Sequence, residues 1–144
     1  MANDAIPIYE PGQTVTCHCD IAVIGKRMYK QTGNQGKLST GLDTDGLGGN
    51  IRVGAPTANG RVFGLANRDV AAAGKVGMLR GCGLIVPAEV SAAVAFGDEL
   101  SVNADGTLKV ALTTQVVVAV CRETKGSAGI TAVELLGPAQ YVKP

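Results

Sequence analysis

From Arg61 to Gly137 the chain is a succession of short apolar-alternating runs broken by Gly-, Asp- and Ala-rich punctuation, with no convincing amphipathic helix among them. Short strands at regular spacing with turn signals between them specify a small all-β domain. The clearest window is Gly97 to Leu112, where Leu100 and Val102 alternate with Ser101 and Asn103, and beyond a turn Leu108, Val110 and Leu112 alternate with Lys109. Side chains of period two point to opposite faces, so both flanks are expected to bury one face and wet the other. Asn103, Ala104, Asp105 and Gly106 supply the turn, because Asn and Asp bond their own backbone and Gly accepts positive φ. The window predicts a β-hairpin.

Composition narrows the core and the partners. Twenty glycines in 144 residues is about twice the usual share, while Trp is absent and only three Tyr and two Phe are present. The core is therefore aliphatic, built from Val, Leu, Ile and Ala. Thirteen basic and twelve acidic residues leave a net charge of +1, which gives no general attraction for a polyanion. With few aromatic residues to stack on bases, nucleic-acid binding is disfavoured twice. No apolar run approaches the ~18 residues of a membrane span, and the N-terminus lacks the pattern of a signal peptide, so synthesis in a reducing cytoplasm is expected.

Along the chain, residues 1–12 read as an extended arm. Pro7 and Pro11 rigidify it and withhold backbone donors, and Ile6, Ile8 and Tyr9 between them need a surface to lie on. A barrel body is expected over 13–137. Within it, Gln13–Ile24 alternates as strand with Val15, Cys17, Cys19 and Ile21 on one face, and Arg27–Lys30 continues the sheet. Residues 33–50 are too rich in Gly and Asp for regular structure and read as a long loop. Ile51–Gly54 and Arg61–Ala66 read as strands, and Lys75–Val86 as a strand or a pair bent at Gly81 and Gly83. Ala88–Phe96 is compatible with one helical turn. Val116–Val120 is a continuous apolar run expected to be covered on both faces, and Ile130–Leu136 is the last strand. Residues 138–144 form a short tail carrying Tyr141 and Val142.

Reaction chemistry finds little footing. Strand alternation places the sulfurs of Cys17 and Cys19 opposite the imidazole of His18, so the three do not converge. A zinc site from Cys17, Cys19, Cys82 and Cys121 lacks the usual C-x₂₋₄-C knuckles, and buried free thiols are the expectation. His18 is the only histidine, and its immediate neighbours face away from it, which argues against a nucleophile scheme. Gly33 to Ser39 fails the spacing of a phosphate loop, and Asn103–Thr107 lacks the acidic start and closing Glu of a calcium loop. Asp43, Asp45, Asp98 and Glu99 read as solvated turn formers. A trimeric nucleotide hydrolase of the dUTPase type is similarly short and all-β, but its catalytic and phosphate motifs do not occur here. No catalytic residue, metal or cofactor is expected.

Several segments in order carry a resemblance. They are Gly60–Ala66, Asp69–Pro87, Phe96–Leu100, Asn103–Leu108, Val116–Thr124 and Ile130–Leu136. In this order they resemble the capsid decoration, or cement, proteins of tailed bacteriophages. The resemblance covers about half the chain and implies a small β-barrel or β-tulip-like single domain on the outer surface of the virion. Such a protein is often a homotrimer and clamps neighbouring major capsid protein subunits, with no catalytic residue. The apolar termini fit this role, so Ile6, Pro7, Ile8, Tyr9, Pro11, Tyr141 and Val142 are the candidate capsid or subunit contacts. Alternatives are a tail-tube or head–tail connector β-barrel, or a carbohydrate- or small-ligand-binding β module, for which the aromatic platforms are scarce.

Overall fold

The alternating runs become strands that close on themselves twice. The computed structural model describes residues 14–34 and 51–144. The strands of the first half are β1 (Thr14–Cys19), β2 (Met28–Asn34), β3 (Ile51–Gly54), β4 (Gly64–Ala66) and β5 (Lys75–Leu79). Those of the second are β6 (Ile85–Val90), β7 (Glu99–Val102), β8 (Leu108–Val110), β9 (Val116–Val117), β10 (Ala119–Cys121), β11 (Gly129–Leu135) and β12 (Tyr141–Val142), with a 3₁₀ turn at Gly137–Ala139. One closed barrel has the order β1-β3-β2-β4-β5, a second has β10-β11-β6-β8-β7, and β9 with β12 makes a separate ribbon. Closure removes the open sheet edges that would otherwise template pairing with another chain.

The two barrels share a wall. In β2 Tyr29 points into the first core and Met28, one residue away, into the second; in β4 Ala66 and Leu65 divide in the same way. Met28 and Leu65 stand opposite each other across the β2–β4 pair and are almost wholly buried. Each contributes about 1.5–3 kcal/mol of apolar burial to the junction.

Backbone contact locks that junction. The Met28 N–H donates to the Gly106 carbonyl at 2.8 Å, and the Glu89 N–H to the Lys26 carbonyl at 2.9 Å. Between these two bonds the Arg27 guanidinium donates to both Glu89 carboxylate oxygens, at 2.6 and 3.1 Å. Gly106 has φ +87°, and a Cβ there would lie 2.5 Å from the Met28 carbonyl oxygen, so glycine is required both by conformation and by contact.

The all-β barrel reading holds, resolved into two barrels. The hairpin forms with Leu100 opposite Val110 and Val102 opposite Leu108, closed by Asn103 N–H to Thr107 O at 2.8 Å. Its faces differ from expectation. Ser101 is fully buried because β9 packs on β7, whereas Val110 and Leu112 are exposed where the second flank leaves the barrel. Ile21, expected on the buried face with Cys19, is exposed because β1 ends before it.

Other boundaries moved for local reasons. Lys75–Val86 is a pair whose members enter different barrels, turned at Gly83 with φ +81°. No helical turn forms over Ala88–Phe96; Ala88 and Val90 complete β6, and Val94 makes an isolated bridge to Lys125. The apolar run Val116–Val120 breaks at Val118 because β9 pairs with β12 and β10 with β11. β2 continues through Gly33 and Asn34, which were expected in the loop, and the rest of that stretch, 35–50, lies outside the described residues.

Gly106→Ala is expected to cost at least about 1–3 kcal/mol, against a smaller loss for Gly97→Ala, which has the same φ of +87° but open space around its Cβ. Equal melting-temperature losses in the two variants would show that the close approach of the barrels carries no energy of its own.

Candidate interaction surfaces

Of the residues singled out in the sequence, Ile6, Pro7, Ile8, Tyr9 and Pro11 lie outside the described residues. Tyr141 and Val142 form β12, with Tyr141 opposite Val117 and Val142 opposite Val116. The tail is therefore a docked strand, continued by bonds from Lys143 N–H to Gln115 O at 2.9 Å and from Thr114 N–H to Lys143 O at 2.8 Å. The side chains of Tyr141 and Val142 stay 39% and 55% exposed.

An ionic knot holds this strand over β7. The Tyr141 hydroxyl donates to the Glu99 carboxylate, and Lys143 Nζ lies 2.9 Å from the other carboxylate oxygen. The Tyr141 hydrogen bond, with Lys143 behind it, holds the Glu99 carboxyl below the usual range. The same bond pushes the Tyr141 phenol up.

Two further surfaces were not singled out from the sequence. On the outer face of β6 and β11, Ile85, Pro87, Ile130 and Ala132 line a shallow hollow of about 240 Å³ together with Glu123 and Thr131. The signal was present in the period-two pattern, since burying Val86, Ala88 and Val90 turns Ile85 and Pro87 outward.

The other is a groove of about 370 Å³ where the two barrels meet, lined by Lys30, Arg61, Phe63, Arg80 and Gln140 among others. Gln140 is buried and clamps the groove floor. Its amide nitrogen donates to Val62 O and Gly137 O, both at 2.8 Å, while its amide oxygen accepts from Val62 N–H at 2.9 Å. The Arg80 guanidinium stacks 4.2 Å above the Phe63 ring. Residues from four separate segments meet here, and linear sequence carries no signal for that.

The thiols are arranged for packing. Cys17, Cys19 and Cys121 are buried and free, and Cys82, expected to be buried, is exposed in the turn between the barrels. Burial, with Cys19 alongside, pushes the Cys17 thiol up to about 12, so it is not a ready thiolate. Burial also pushes the Cys19 thiol up. Among the described residues no three His, Cys, Asp or Glu side chains gather as metal ligands. Among the described residues no helix is long and apolar enough to cross a membrane.

The fold has a solved counterpart. The chain is similar to the crystal structure of the head fiber gp8.5 N base in bacteriophage phi29, with a TM-score of 0.63 and 17% sequence identity. The similarity covers 85% of this chain and 92% of that one. At that identity the likeness is one of fold. No family model matches the sequence. No curated protein matches it either.

Two measurements check these surfaces. In the native protein at pH 8, Cys82 is expected to alkylate quickly, and Cys17 and Cys19 only at the rate of unfolding; rapid modification of all three would mean the first barrel opens readily. The Glu99 carboxylate is held below its ordinary value of 4.5, so its stabilisation of β12 is full above that value and is lost as pH falls through the lower folded value. Amide exchange should therefore rise at Tyr141–Lys143 in acid ahead of β11, and Glu99→Gln should abolish that early phase.

Proposed function

We propose that this chain is a structural component of the outer surface of a tailed-phage head, acting by attachment rather than by catalysis. The observation that carries the reading is the shared fold, extending over nearly all of both chains, with a domain whose name places it in a phage head fiber. The independent resemblance of Gly60–Leu136 to capsid decoration proteins points to the same place on the virion.

The physical design supports such a role. Two closed barrels fused through a shared wall make a rigid unit, and rigidity lowers the ordering cost at each attachment point. Repetition over a symmetric shell then multiplies contacts that are individually weak. The partner is the major capsid protein, and the module is a homotrimer. The β6–β11 hollow, with Ile85 60% and Ile130 41% exposed, supplies the apolar surface that such association covers. The N-terminal arm and the exposed side chains of β12 supply the contacts with the shell.

The experiment is co-purification with intact virions, where a stoichiometry close to that of the major capsid protein is expected. Absence from particles overturns the proposal, and recovery with isolated tails alone moves it to the tail or connector. Deleting residues 2–11 should leave the melting temperature of the body intact. Binding to undecorated heads should fall more than tenfold, since two or three apolar side chains are worth about 1.5–3 kcal/mol each before ordering costs. Sedimentation showing only monomer, free and after release from heads, would exclude the trimer.

A further inference from the structure

The groove between the barrels gathers three cations, whereas several others of the molecule stand on carboxylates. Arg27, Arg52 and Arg122 each sit on a carboxylate, that of Glu89, Asp20 or Glu134, through bonds of 2.6–2.7 Å. Lys30, Arg61 and Arg80 line one groove, and among the described residues no Asp or Glu stands in its wall. Among the described residues their partners are neutral. Lys30 Nζ donates to Thr57 Oγ1 at 2.8 Å, Arg61 donates to Gln140 O at 2.9 Å, and Arg80 lies on the Phe63 ring. In a chain of net charge +1, three cations that meet no carboxylate among the described residues of one groove are a concentrated positive site.

The walls specify more than charge. Each guanidinium has donors to spare after the contacts just named, and its fork matches a carboxylate edge. Between the cations lie Val62, Phe63 and Pro138, apolar surface that matches the methylene stems and backbone of an extended peptide. The floor is preorganised, because the Gln140 clamp fixes Val62 and Gly137 whether or not the groove is filled. Nucleic acid fits less well, since the groove offers one ring already covered by Arg80 and leaves nothing for bases to stack on.

We propose that this groove binds an acidic segment of a partner polypeptide, two carboxylates being taken by Arg61 and Arg80 with Lys30 completing the charge. That the partner is the shell protein rests on the function proposed above; the affinity for acidic peptide does not.

The test titrates a fluorescent octaglutamate peptide into the full chain at low salt, beside a single-stranded oligonucleotide of equal charge and inorganic phosphate. Saturable peptide binding is expected, weakened about tenfold by Arg61→Gln and by Arg80→Gln. Arg68→Gln, which removes an exposed charge outside the groove, should leave it unchanged. Melting curves confirm that each variant is folded, and Arg61→Lys, which keeps the charge but not the fork, should fall between.

Absent peptide binding, an equal loss in Arg68→Gln, or tighter binding of the oligonucleotide or phosphate would each overturn the proposal. In a second arm, wild-type protein that binds the peptide but not undecorated heads would fail the head-attachment reading and leave the groove standing. Wild-type attachment to heads that is untouched by Arg61→Gln and Arg80→Gln would overturn the groove's assignment to the shell.

Discussion

The molecule depends on the contact of Gly106 with the backbone of Met28. At that point a turn of the second barrel meets a strand of the first with no side chain between them, and the Met28 N–H reaches the Gly106 carbonyl. Because the start of β2 is brought so close, Met28 on its outer face is buried by the neighbouring core rather than wetted. Neighbouring residues of β2 and β4 thus serve two cores, as Met28 with Tyr29 and Leu65 with Ala66 show. Five short strands enclose little apolar volume, so a small barrel standing alone is marginal. Sharing a wall removes that wall's exposed face from both.

The same logic sets the groove. Gly137 has φ +54°, and a Cβ there would lie 2.5 Å from the Arg80 carbonyl oxygen, so the end of β11 is pressed against the end of β5. From that contact follow the positions of Arg80 and of Gln140, which closes the far side through Val62. The groove is a consequence of how two barrels are joined, and neither barrel holds it alone.

Much of the local structure was legible in the sequence and the joining was not. Leu100, Val102 and Leu108 announce the hairpin because one of its faces is buried in its own barrel, and Asn103 and Gly106 mark its turn by chemistry that acts within a few residues. Ser101 misleads because its face is covered by β9, an event decided by tertiary packing. Leu112 misleads in the other direction, as an apolar residue whose flank leaves the core. Met28 and Leu65 look like ordinary strand residues, and nothing in their spacing says which of two cores receives them. Of the candidate contacts, Tyr141 and Val142 lie with exposed side chains on a paired strand, where the sequence suggested a short tail.

Charge follows the division between what folding needs and what it leaves over. Glu89 closes the seam with Arg27, Glu134 pairs with Arg122 on the outer sheet, and Glu99 ties down β12 through Tyr141 and Lys143. These pairs sit where strands cross or end, and there an ion pair adds register at modest energetic value. Lys30, Arg61 and Arg80 sit instead on backbone that is already fixed by Gln140 and by the approach of Gly137. A carboxylate within the groove would neutralise their mutual repulsion, and among the described residues none lines it. The positive charge is therefore left for a group that arrives from outside, on the part of the surface that unfolding either barrel would destroy.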